Sequence, residues 1–142
     1  MQSRLFVQSP LQEMADDNRL VAGVAAESFS DLRAVALERA PFFLTDSVIR
    51  QAFDFAERQG HFNIDAVNVV RAASRIAVPV LLVHGETDHD TLPVHSERIL
   101  SVLHGPKRLI LVAGAKHNES LNGAVWSEIE RWIDGVVSPT AR

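Results

Sequence analysis

The stretch VPVLLVHGETDHDTLPVH, residues 78–95, begins as an unbroken apolar run and ends in a cluster of histidines and acids. Its apolar part, residues 78–84, does not alternate polar with apolar positions. That is the pattern of a strand covered on both faces, as in a parallel sheet. Two other runs share it, residues 20–26 (LVAGVAA) and residues 108–113 (RLILVA). Helical spacing fills the intervals. Leu32, Val35, Ala36 and Leu37 begin one helix, Val48, Ala52, Phe53 and Phe55 a second, and Ala66, Val67, Val70 and Ala73 a third. Residues 95–103 (HSERILSVL) form a compact amphipathic helix, and residues 124–136 place Val125, Ile129, Trp132 and Ile133 on one face. Strands alternating with helices predict an α/β fold, three parallel strands with flanking helices and right-handed crossovers.

The chain has 142 residues, 46% of them hydrophobic, and a net charge of -4, the composition of one folded domain rather than a disordered segment. Lys and Arg number 14 against 18 acids and form no basic tract, so no electrostatic footprint for nucleic acid or an anionic membrane is present. The absence of cysteine excludes disulfides and thiolate chemistry and suits a reducing cytoplasm. The first residues, MQSRLFVQSPLQEM, are too polar and interrupted for a signal peptide, and no apolar run reaches the roughly 20 residues of a membrane span. The expectation is a soluble cytoplasmic domain with no repeat and a linker-like tail at residues 138–142.

One connection breaks the rhythm of short crossovers. About fifty residues, from Ser28 to Ile76, separate the first strand from the second, and they read as helical and rich in phenylalanine. Residues 29–76 are either extra helices closing the core or a cap over the carboxyl ends of the strands, where open α/β sheets bind ligands.

Asp88 falls four residues past His84, on the loop leaving the second strand, and His117 falls in the loop GAKHN leaving the third. Adjacent strands lie about 4.8 Å apart, so an acid and a histidine on neighbouring loop tips can hydrogen-bond. A carboxylate that accepts from one imidazole nitrogen fixes the tautomer, and the other nitrogen is then free to take a proton from a nucleophile. Plainer readings stand beside this one. Asp88 also suits a turn, Asp90 competes for the acid role, and His117 with Asn118 could cap the last helix. His84 reads as structural, His61, His95 and His104 as solvated, and Phe42 and Phe43 as core.

The order of elements (strand, HGETD, Pro93, HSERIL helix, strand KRLILV, GAKHN, terminal amphipathic helix) resembles the C-terminal part of an α/β-hydrolase fold enzyme, in the peptidase-like and esterase-like branch of serine hydrolases. The resemblance covers roughly residues 11–137. It implies a Ser, Asp, His order of catalytic residues, with Asp88 after the seventh strand as triad acid and His117 after the eighth as triad base. It also implies that VAGVAAESFSDLR, residues 21–33, is the sixth strand leading into a cap, that the substrate is an ester or peptide, and that no cofactor takes part. The chain departs from the family at the nucleophile. A G-x-S-x-G turn is due about twenty to twenty-five residues before the sixth strand ends, and there the sequence offers Ser3 without flanking glycines. Ser9 precedes a proline and Ser28 follows the strand. The resemblance therefore describes the later half of such an enzyme, without turnover of its own.

Two rivals remain open. His84, Glu86, Asp88 and His89 spell H-x-E-x-D-H, similar to the H-x-H-x-D-H of the metallo-β-lactamase family with Glu at one ligand position, which would make the chain a metallo-hydrolase. The other rival is a non-catalytic module that self-associates through residues 20–26, whose apolar edge carries no lysine, proline or charge.

Overall fold

The computed structural model describes residues 10–137, so Ser3, Ser9 and the tail lie outside the described residues. In chain order the elements are α1 (Pro10–Asp16), β1 (Gly23–Ala26), α2 (Leu32–Glu38), α3 (Asp46–Gly60), a 3-10 turn (Ile64–Ala66), α4 (Val69–Ala73), β2 (Val80–Gly85), α5 (Val94–Val102), β3 (Lys107–Val112) and α6 (Gly123–Val137). The strands form one parallel sheet in the order β1-β2-β3, with Val83 of β2 opposite Ala26 on one side and Ile110 on the other.

All six residues of β2 are buried, which explains its unbroken apolar run. Successive side chains point to opposite faces. Val80 and Leu82 join Leu11, Ala25, Val69 and Ile99 in the larger core under α1, α4 and α5. Leu81 and Val83 face α6, where Val125 and Ile129 are buried and Trp132 packs at the margin. Burial of each such leucine contributes roughly 1.5–3 kcal/mol before entropy is counted. No helix among the described residues is long and apolar enough to cross a membrane.

The structure corrects three sequence expectations. First, the strand predicted over residues 20–26 begins only at Gly23, and Leu20 and Val21 are exposed. Second, the single helix expected through Ala66, Val67, Val70 and Ala73 is two pieces. The Asn63 side chain accepts the amides of Asp65 and Ala66, and the Asn68 side chain accepts the Arg71 amide, so each starts its own turn and the chain bends at Val67. Asn competes with helix continuation by this kind of local bond. Third, Phe42 and Phe43 are surface residues, packed edge to face on each other at 5.7 Å between ring centroids. They occupy the loop between α2 and α3, outside both cores.

Residues 29–76 thus divide. The 3-10 turn and α4 lie in the body of the domain, with Ile64, Val67, Val69, Ala72 and Ala73 buried. By contrast α3 buries none of its residues. It is tied down by Arg33, stacked 4.8 Å over the Phe53 ring, and by Glu57, whose carboxylate accepts the Ile64 amide at 2.8 Å.

These contrasts set the energetic scale of a substitution pair. Leu82→Ala, which opens a cavity in the fully packed central strand, is expected to cost about 2–5 kcal/mol in urea unfolding. Phe42→Ala should stay within about 0.5 kcal/mol, because the ring is fully exposed. Equal losses for the two would contradict the placement of the core.

Candidate active site

The loops leaving the carboxyl ends of the three strands meet around His117. Strand β2 ends at Gly85, and a turn closed by the Asp88 amide donating to the Gly85 carbonyl at 3.2 Å swings Asp88 back into the protein. Its Oδ1 accepts the amides of Asp90 at 2.9 Å and Thr91 at 2.8 Å. Its Oδ2 receives Nδ1 of His117 at 2.8 Å. The carboxylate is buried, whereas the His117 side chain keeps 29% of its surface exposed. Because the carboxylate only accepts, Nδ1 carries the hydrogen, and Nε2 is left for a second partner.

Close backbone approach makes this meeting possible. A Cβ added to Gly85 would lie 2.5 Å from the Ala115 carbonyl oxygen and 2.9 Å from that of Lys116. Both are backbone atoms that cannot rotate aside. The end of β2 must therefore lack a side chain for the loop bearing His117 to cross it, and Thr87 reinforces the crossing, its amide and its hydroxyl both donating to the Ala115 carbonyl. Gly114, at φ 70°, starts the turn in the left-handed region that glycine tolerates.

Electrostatics favour a charged pair. Burial pushes the Asp88 carboxyl up, but the Thr91 amide, the His117 imidazole and the Asp90 amide together outweigh it and hold the group below its ordinary value. The Asp88 hydrogen bond pushes the His117 imidazole up against a smaller opposing effect of burial, and the charges of Asp88, Glu27 and Asp90 add to the rise.

The remaining expectations sort by partner. Asp90 is exposed and pairs with Arg39 at 3.5 Å, so it does not serve as the acid for His117. Neither His117 nor Asn118 caps the last helix; the Asn122 side chain does, accepting the Val125 amide at 3.2 Å. His61 and His104 are exposed. His95, expected in solvent, is fully buried and joins Ser30 at 2.8 Å to Glu38 at 2.7 Å. The pattern HSERIL hides this, since only the fold brings residues 30 and 38 to it.

The four residues of H-x-E-x-D-H are not brought together as ligands. Glu86 and His89 are exposed, and both ring nitrogens of buried His84 are engaged, Nε2 with the Thr91 carbonyl and Nδ1 with the Ser96 hydroxyl, each at 2.7 Å. A different set converges among the described residues. One side-chain atom each of Glu27, Asp88 and His117 lie within 4.8 Å of one another, with Asp88 hydrogen-bonded to His117 and Glu27 to the backbone amides of Asn118 and Ser120. Sequence reading missed Glu27, whose position in AAESFS carries no signal of its own. Beside it lies a cavity of about 170 Å³ lined by Ala26, Glu27, Asn118, Ser120 and Leu121, and the buried Ser120 hydroxyl has no partner among the described residues.

Known structures share this arrangement of strands and helices. An acetyl xylan esterase from Paenibacillus sp. R4 superposes with a TM-score of 0.66 at 18% identity, over 89% of this chain and 41% of the esterase. A Mycobacterium tuberculosis puromycin-hydrolyzing peptidase superposes with a TM-score of 0.64 at 22% identity, over 90% of this chain and 20% of the peptidase. The fold is that of an α/β-hydrolase. In sequence, the uncharacterized protein YfhR of Escherichia coli K12 is 36% identical over 69 residues, 46% of this chain and 24% of YfhR. No protein-family model matches. The chain spans less than half the length of each of these three proteins.

The pair in this α/β-hydrolase fold sets a pH dependence with a defined sign. A raised His117 value means that folding holds its proton, so that contribution is complete below about pH 6.5 and is lost as pH rises through the raised value. A lowered Asp88 value gives stability that is complete above about pH 3.9 and is lost as pH falls through the lowered value. Urea unfolding should therefore show wild type losing stability relative to His117→Gln between about pH 6.5 and the alkaline side. A difference that is flat or grows with pH would contradict the charged pair.

Proposed function

We propose that this chain carries the acid and base of a serine hydrolase, Asp88 and His117, acting on the ester or peptide bond of a small-molecule or peptide substrate. The observation that carries the reading is the 2.8 Å contact between Asp88 Oδ2 and His117 Nδ1 at the carboxyl end of parallel strands, with the imidazole partly open to solvent. The esterase and peptidase named above support the class by analogy of fold.

In this mechanism a serine oxygen attacks the carbonyl carbon while His117 Nε2 takes the serine proton. Asp88 holds Nδ1–H and stabilises the imidazolium. His117 returns the proton to the leaving group as the tetrahedral intermediate collapses to an acyl-enzyme, and a water molecule repeats the sequence to release the acid. No cofactor enters. Within residues 29–76, α3 and the loop before it act as the cap, with exposed Phe42, Phe43 and Phe55 giving it an apolar surface. The 142 residues contain no G-x-S-x-G, so the serine is assigned to a turn outside them and this chain has no turnover alone.

The test has two stages. A fluorophosphonate probe is expected not to label the 142-residue chain, and labelling lost on Ser3→Ala would overturn its inactivity. Extended by its upstream in-frame coding sequence, the protein should label at a G-x-S-x-G serine, and His117→Ala should lower kcat/KM by about 10³-fold or more. Upstream sequence without such a turn would overturn the hydrolase reading.

A second reading, self-association, is favoured by one observation. Among the described residues β1 pairs with β2 alone, and Leu20 and Val21 are exposed beside its open edge. A second copy adding a strand there would satisfy the unpaired amides and carbonyls. Sedimentation at tens of micromolar should then show a dimer or larger species that Val21→Lys weakens; a monodisperse monomer with slow amide exchange across residues 20–26 would refute it.

A further inference from the structure

Glu27 is the first residue beyond β1, and its backbone is left-handed at φ 50°, a conformation that is costly for a residue with a Cβ. Its amide nonetheless donates to the Val83 carbonyl at 2.8 Å, continuing the β1–β2 ladder, so the turn is anchored to the sheet. This turn carries the carboxylate across the strand ends to the loop after β3. There Oε2 accepts the Asn118 amide at 2.6 Å and Oε1 accepts the Ser120 amide at 3.3 Å. Asn118 is itself left-handed, at φ 63°. One carboxylate therefore bridges two strained positions on facing loops, and its side chain is only 8% exposed. Oε2 also stands 3.5 Å from His117 Nδ1, the nitrogen that Asp88 holds.

We propose that Glu27 is a positioning residue for His117: it fixes the loop bearing the imidazole through two backbone amides and stands as a second carboxylate beside the nitrogen held by Asp88. The inference rests on the reading of His117 as the base. Strain that is retained at Glu27 needs surroundings that enforce it, and the two amides supply that enforcement. Asp88 divides its oxygens, Oδ1 to the Thr91 and Asp90 amides and Oδ2 to His117. A second negative charge on the same side then favours the imidazolium formed when His117 accepts a proton. The charged groups facing the ring are Asp88 and Asp90 after β2 and Glu27 after β1, while Glu119 on its own loop is turned to the Lys116 amide at 3.0 Å.

The experiment is an NMR titration of the His117 imidazole in the 142-residue chain, with amide exchange read at Asn118 and Ser120. Glu27→Gln keeps an acceptor oxygen but loses the charge. It should lower the proton affinity of His117 by about threefold or more while protection is kept at one of the two amides, the one facing the remaining oxygen. Glu27→Ala should lose both. If Glu27→Ala does not fold, Glu27→Gln decides alone. A Glu27→Gln titration superimposable on wild type overturns the role of Glu27. The underlying reading fails separately: Asp88→Asn leaving the His117 titration unchanged would remove the Asp88–His117 pair whatever Glu27 does.

Discussion

The two ladders of β2 decide where every functional group comes to lie. Gly23 is opposite Val80 on one side and Lys107 is opposite Val80 on the other, so the three strands run in step and end within a residue or two of one another. Glu27, Asp88 and His117 all leave from that common edge. A slip of one residue in either ladder would turn the apolar set of a strand to the wrong face, and the two cores on either side of the sheet forbid it. Burial of β2 thus fixes where these side chains lie as well as stability, and Gly85 is where the two meet. The strand must end in a residue without a side chain or the loop from β3 cannot cross.

A buried carboxylate is the chief electrostatic cost of this geometry. Asp88 is 1% exposed, and an isolated charge there would be neutralised rather than tolerated. The turn after β2 solves this with backbone, since the amides of Asp90 and Thr91 point at Oδ1 because the chain doubles back there. Only Oδ2 is then left for His117. Loss of the histidine would leave this buried carboxylate with its two backbone amides alone.

The sheet was legible because β2 and β3 advertise themselves as apolar runs, and Asp88 and His117 because each sits in the first loop after such a run. What escaped the sequence depended on contacts between distant segments. Residues 20–22 are as apolar as a strand, but the ladder to β2 begins with Gly23 opposite Val80, so β1 starts there. Phenylalanines 42 and 43 have core chemistry, but lie in a loop that the cores do not reach. Glu27 has no local signature at all, since its role follows from a loop 91 residues away in sequence. His95 looked solvated because its neighbours Glu97 and Arg98 are polar, yet its own face of α5 is turned inward.

That face holds a second arrangement which connectivity alone cannot tell from a catalytic one. Ser30 Oγ lies 2.8 Å from His95 Nδ1, and His95 Nε2 lies 2.7 Å from Glu38, a serine, histidine and acid in sequence of contact. Exposure separates it from the site at His117. Ser30 is 1% exposed and His95 is fully buried, so no carbonyl carbon can approach the hydroxyl. The Ser30 amide also donates to Nδ1 at 3.1 Å, taking up the lone pair a base would need. The trio instead ties the loop after β1 and the end of α2 to α5, and Arg98 adds a looser contact to Glu38 at 3.7 Å. There these three residue types fasten the helical connection to α5. At His117, by contrast, the imidazole held by Asp88 is still open to solvent.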